Sequence, residues 1–220
     1  MQRYLSAIGF SPDIVTRAII ADGLSAGDKV QLIQPQQDDE GAKDRASNAI
    51  DGVQSTLSGV VSQVNIEVET IANTEFSSVV DRCSELIVDG EPPVVCLGAG
   101  ASDIHVPMTV AVTAHQDQIK STMMYSDLKA TAKEIEIPHL MNQFPNRAQD
   151  TFQLVSSMAD ENPVSLSDLS TQGDASRPTI GRHIQALEKN GFVTTVQEGK
   201  SKKAILTALG KIASRLNSYN

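Results

Sequence analysis

Tryptophan is absent from this 220-residue chain, and aromatic residues make up only 4% of it. Its cores must therefore be built from aliphatic side chains and alanine, with few ring faces left over for stacking. Cysteine is scarce too, with two residues. Cys83 and Cys96 stand alone, without C-x-x-C spacing, which argues against a disulfide scaffold and reads as buried thiols in a reducing compartment. The four histidines, His105, His115, His139 and His183, show no H-E-x-x-H spacing, so no metal site and no cofactor is expected. An apolar run of about 18 residues is missing, as is a leader pattern, and the expectation is a soluble cytoplasmic protein with no membrane partner. A Walker lysine and the G-x-G-x-x-G spacing are missing too, since position 103 is Asp103. That leaves an ATPase or a dehydrogenase little support.

Positive charge is also in short supply, with 18 Lys and Arg against 27 Asp and Glu, a formal −9. Its distribution is uneven. Residues 1–145 carry 9 basic and 20 acidic residues, while residues 146–220 carry 9 basic and 7 acidic ones. Between Arg177 and Arg215 stand 8 basic residues and only 2 acidic ones. Binding to a polyanion follows the local field, because charges beyond roughly 10 Å are screened at about 0.1 M salt. An acidic chain can therefore still bind DNA through its carboxyl-terminal end.

The pattern of that end supports the same reading. Ser176 is suited to cap a helix and Pro178 to sit in its first turn. Ile180, Ile184 and Leu187 recur at i, i+4 and i+7, so one face packs inward. At about 100° per residue, the opposite face carries Thr179, Arg182, Gln185 and Lys189. Asn190-Gly191 closes the helix. Two β-rich runs, 192–196 and 203–206, flank the basic tip Gly199-Lys200-Ser201-Lys202-Lys203. Upstream, 148–158 reads as an amphipathic helix, and Ser165 caps a short one with Leu166 and Leu169. Downstream, Thr207 caps a last helix with Leu209, Ile212, Ala213 and Leu216. Helix, helix, recognition helix and wing are the parts of a winged helix-turn-helix that binds double-stranded DNA. The candidate DNA-binding residues are Ser176, Arg177, Thr179, Arg182, Gln185, Lys189, Lys200, Lys202 and Lys203.

The first part alternates strands and helices. Strands are expected near 3–8, 29–33, 64–71, 92–97, 119–126 and 132–137, with helices after Pro12 and over 43–61, 76–88 and 103–115. Such alternation implies an α/β domain with a mostly parallel sheet and helices on both faces. Ligands bind such sheets outside the carboxyl ends of the strands, where small-residue turns feed helix N-termini. Two turns qualify, Gly9-Phe10-Ser11 and Gly98-Ala99-Gly100-Ala101-Ser102, and these eight residues are the candidate ligand-binding set. Tight turns without a ligand are the plain alternative.

Taken together, Ile8-Gly9-Phe10-Ser11 followed by Ile14-Val15-Thr16-Arg17-Ala18, Gly27-Asp28-Lys29-Val30, Leu97-Gly98-Ala99-Gly100-Ala101, and the helix and wing give a pattern covering nearly the whole chain. It resembles the archaeal CRISPR-associated transcriptional regulators that join a CARF (CRISPR-associated Rossmann fold) domain to a C-terminal winged helix. The resemblance implies a Rossmann-like sensing and dimerisation domain over 1–138, a linker over 139–147 and a DNA-binding domain over 148–220. It also implies a homodimer, not an enzyme, whose paired first domains hold cyclic oligoadenylate (cyclic tetra-adenylate) and tune transcription of CRISPR-associated genes in antiviral defence. Many members carry Arg or Lys near the position of Ser102, whereas here Ser102-Asp103 stands. Two alternatives stay open: a ring nuclease using Ser11 or Ser102, and a winged-helix regulator that senses a different nucleotide or none.

Overall fold

Tyr4 and Ser6 alternate with Leu5 and Ala7 along the first strand, and all four are buried. Successive strand residues point to opposite faces, so a strand buried throughout must be covered on both sides. The computed structural model describes residues 1–72, 74–126, 128–140, 142–158, 162–199 and 201–217, and these divide into two compact units, Met1–Ile137 and Pro138–Asn220.

The first unit runs β1 (Arg3–Ala7), α1 (Pro12–Asp22), β2 (Lys29–Pro35), α2 (Glu40–Val60), β3 (Asn65–Ile71), α3 (Phe76–Val88), β4 (Val94–Leu97), α4 (Ser102–Ala114), β5 (Ser121–Ser126) and β6 (Thr131–Glu134). The sheet order is β3-β2-β1-β4-β5-β6, parallel except for β6. Leu5 of β1 registers with Gln31 of β2 and Val95 of β4. On one face Tyr4, Val15, Ile19, Leu32, Val53 and Leu57 form a core, and on the other Leu5, Ile33, Val79, Cys83, Ile104 and Met108 form a second. Each fully buried Leu or Ile contributes about 1.5–3 kcal/mol of transfer free energy. This is a Rossmann-like α/β fold, as the strand–helix alternation predicts.

Among the described residues Arg3 is the one cation sunk into this unit, and its guanidinium donates to the carbonyls of Leu86, Ile87 and Glu91 at 2.8–3.0 Å. These include last-turn acceptors of α3 that no intrahelical N–H can reach. Burial holds its pKa below the usual arginine value, partly offset by Asp89.

The second unit runs α5 (Gln149–Met158), β7 (Val164–Ser165), α6 (Leu166–Gln172), α7 (Arg177–Lys189), β8 (Val193–Glu198), β9 (Ser201–Leu206) and α8 (Ala208–Asn217). Phe152, Val155, Leu169, Ile180, Ile184, Leu187 and Phe192 make its core. Phe144, from the segment expected as a linker, meets Phe152 and Phe192 edge-on at centroid distances of 5.0 and 4.9 Å. The wing sheet has three strands in the order β7-β9-β8, where the sequence suggests two. The added strand is only two residues long, and its Ser165 also caps α6 by accepting from the Asp168 N–H. Thr207 caps α8 as expected, accepting from the Gly210 N–H at 3.1 Å. Ser176 occupies the cap position of α7 but makes no side-chain cap bond; its hydroxyl lies 3.0 Å from that of Thr179.

Candidate ligand loops and DNA-binding surface

Strand order reverses between β1 and β4, so the turns leaving their carboxyl ends lie beside a topological switch point. The Ile8 N–H donates to the Ile33 carbonyl at 2.8 Å, which extends the β1–β2 pairing and leaves Gly9, Phe10 and Ser11 to enter α1. In the second turn Gly98 and Gly100 adopt φ values of 104° and 99°, a region that favours glycine. A Cβ on Gly9 would sit 3.3 Å from the Gly100 carbonyl carbon, and one on Gly100 only 2.5 Å from the Ala7 Cβ. The two loops therefore touch through bare backbone, and side chains of any size would push them apart.

Ser11 and Ala101 hold the N-cap positions of α1 and α4, and neither gives a side-chain cap bond. Two uncapped helix starts at one edge favour negative charge, although Asp13 and Asp103 in the first turns of α1 and α4 supply some of their own. Phe10, Ser11, Gly98, Gly100 and Ser102 are exposed, while the Ala99 methyl is buried in the core. Ala99 can thus meet a ligand only through its backbone. Clefts of about 530 and 470 Å³ lie at the opposite, amino edge of the sheet, lined by Lys120, Ser121 and Glu134 and by Arg3, Lys29 and Arg82. Neither includes a candidate loop residue.

Two cations near the loops escape sequence reasoning. The Arg45 guanidinium of α2 lies 4.3 Å from the Phe10 ring centroid. Arg17 of α1 donates to the Tyr125 hydroxyl at 3.1 Å and sits 5.6 Å from that ring. Each partner is tens of residues away in the chain, so only the topology joins them.

In the second unit Pro178, Arg182, Gln185 and Lys189 form one exposed stripe of α7, opposite the buried Ile180, Ile184 and Leu187. Arg177 is exposed in the first turn and Thr179 is half-buried. His183 falls on the flank, with Nδ1 2.8 Å from the Thr151 hydroxyl. The wing lysines are less free than their spacing suggests. Lys202 Nζ lies 3.4 Å from Glu188, and Lys203 pairs with Glu198. Lys200 falls outside the described residues. Glu188 also accepts from the Thr195 N–H at 3.0 Å and from its hydroxyl. Those hydrogen bonds, with Lys202 beside them, hold its carboxyl below the usual range. The last turn of α7 is thereby tied to the wing.

A family model described as the Csa3 CRISPR-associated Rossmann-like domain matches residues 2–138, more than half the chain. The chain belongs to the Csa3 family. Among curated proteins, none matches it by sequence. Solved structures similar to this Csa3-family chain include the AF1382 protein of Archaeoglobus fulgidus, with 22% identity over 34% of this chain and 86% of that one, at a TM-score of 0.32. Csm6 of Enterococcus italicus, bound to cyclic hexa-2′-fluoro-hexa-dAMP, matches at 11% identity over 87% of this chain and 52% of its own, at a TM-score of 0.48. Can2 of Sulfobacillus thermosulfidooxidans, in complex with cyclic tetra-adenylate, matches at 8% identity over 97% of this chain and 64% of its own, at a TM-score of 0.42. Among the described residues of the Csa3-family chain, no helix is long and apolar enough to cross a membrane.

Proposed function

We propose that this Csa3-family chain is a dimeric transcriptional regulator of CRISPR-associated genes. Its first unit binds cyclic oligoadenylate, cyclic tetra-adenylate in particular, and its second unit binds double-stranded DNA. The observation that carries the reading is the meeting of Gly9 and Gly100 at the strand-order reversal. It sets two uncapped helix starts beside a glycine-lined edge, an arrangement suited to phosphates. Gly9, Phe10, Ser11 and Gly98–Ser102 are the ligand contacts of this proposal.

For DNA, Thr179, Arg182 and Gln185 serve as base readers, while Ser176, Arg177, Lys189, Lys200, Lys202 and Lys203 contact phosphate. Arg177 supports this assignment. A cation in the first turn opposes the helix dipole, and a phosphate docked there would offset that cost. Val106 and Val110, exposed one turn apart on α4, are the proposed dimer surface. A ring nuclease is disfavoured because the loops offer only the Ser11 and Ser102 hydroxyls and carry no His, Asp or Glu to serve as a general base.

Fluorescence anisotropy of CRISPR-promoter duplexes, with and without cyclic tetra-adenylate, tests the reading. A specific complex whose affinity shifts with the ring supports it. Binding that is absent at low salt, or identical with the ring present, overturns it.

A further inference from the structure

The first unit contains four arginines and four aromatic residues, and their partners separate them into two groups. Arg3 is engaged with the end of α3, and Arg82 with Glu69 and Glu85 at 2.8 and 2.7 Å. Tyr4 is buried and donates to Asp22, and Phe76 opens α3. What remains is Arg17, Arg45, Phe10 and Tyr125, and these form two pairs, one beside each ligand loop.

Arg45 lies over Phe10, the central residue of the first loop, and its Nε donates to the Gly41 carbonyl at 3.2 Å. Arg17 lies over Tyr125, at the carboxyl end of β5. The Tyr125 carbonyl oxygen is 3.4 Å from where a Gly98 Cβ would stand, so this pair adjoins the second loop. Among the described residues neither arginine makes an ion pair with a carboxylate, although the first 145 residues carry 20 acidic side chains. Both guanidiniums are exposed, and Phe10 keeps 49% of its surface open.

We propose that Arg45–Phe10 and Arg17–Tyr125 are two clamps for a phosphodiester-linked purine ligand, and that they supply the cations absent from the second loop. This rests on the cyclic oligoadenylate reading above and names the residues that would discriminate such a ligand. A guanidinium offers a planar fork to two phosphate oxygens, and an aromatic ring offers a face to a base. The arginine–ring contact at an exposed site is weak, so the guanidinium turns to a phosphate at small cost and the ring stays in place for a base.

The test is calorimetric titration of the full chain with synthetic cyclic tetra-adenylate and cyclic hexa-adenylate. Parent, Arg45→Ala, Arg17→Ala, Arg45→Lys and Phe10→Leu proteins are compared at two salt concentrations. The alanine variants are expected to bind at least tenfold more weakly and with a shallower salt dependence. Arg45→Lys should recover only part of the loss, because a lysine lacks the fork, and Phe10→Leu should weaken binding without changing the salt slope. Unliganded melting temperatures should stay near the parent's, since both arginines are exposed. A parent that binds while both alanine variants match it within twofold overturns the clamps and leaves the ligand reading intact. A parent that binds neither ring overturns the ligand reading and the clamps together.

Discussion

Gly100 and Gly90 both have positive φ, 99° and 78°, yet their surroundings differ. A Cβ at Gly90 meets nothing within 4 Å, whereas one at Gly100 reaches the Ala7 Cβ at 2.5 Å and its carbonyl carbon at 3.1 Å. Gly90→Ala should therefore cost only the backbone preference, about 1 kcal/mol. Gly100→Ala adds overpacking of about 1–3 kcal/mol and forces β1 and the second loop apart. Denaturant melts of the two variants should separate accordingly, and a Gly100→Ala protein as stable as Gly90→Ala would show that the second loop does not pack against Ala7 of β1. Burial pushes the Cys83 thiol up to about 11 and raises that of Cys96 as well, with Asp22 adding to the latter. The thiolate is the reactive form. Iodoacetamide at pH 8 should therefore leave both unmodified in the folded protein and label both in urea, as read by intact mass.

Between residues and molecule stand the elements, and here α7 and the wing act as one piece through Glu188. Replacing Arg182 by Ala should cost about 1–3 kcal/mol on a specific site and relax base preference there. Lys202→Ala should weaken every duplex alike and lower the salt slope by about 1. The same latch responds to acid. Because the folded carboxyl of Glu188 titrates below its unfolded value, its stabilisation is present above the ordinary carboxylate range and is lost as pH falls through the folded pKa. The stability gap between parent and Glu188→Gln should thus narrow below about pH 4.5, modestly, since the pair is partly exposed. Equal gaps at pH 4 and pH 7 would remove Glu188 from this role. Elements of this kind were largely legible in the chain. The helix over 76–88 appears residue for residue, because Val79, Cys83 and Ile87 recur at helical spacing. The strand expected from Pro92 instead begins at Val94, since proline has no N–H for the ladder. Local pattern could not reveal β7, too short for any period, nor the pairing of Lys202 with a carboxylate 14 residues away. Arg45 and Phe10, like Arg17 and Tyr125, meet only because the strand order brings α1, α2 and β5 to one edge.

For the whole molecule the question is whether the loops of one unit govern the helix of the other, and thermodynamic linkage makes that measurable. If cyclic tetra-adenylate changes operator affinity by some factor, operator must change ring affinity by the same factor. Typical couplings are about 1–3 kcal/mol, or roughly 5–150-fold, well within the reach of anisotropy and calorimetry. The prediction is that the two ratios agree and differ from unity by at least fivefold. Hydrogen exchange should locate the two ends of the coupling. The ring should slow exchange across residues 8–12 and 97–103, where N–H groups at the starts of α1 and α4 lack caps. Operator alone should slow it at the start of α7, where Ser176 provides no cap bond. Reciprocal ratios near one, with each ligand protecting only its own unit, would mean that the Csa3-family chain carries two independent binding modules. A shared ratio far from one, with operator also altering exchange in the loops, would make the glycine contact at Gly9 and Gly100 the input of a switch whose output is Arg182.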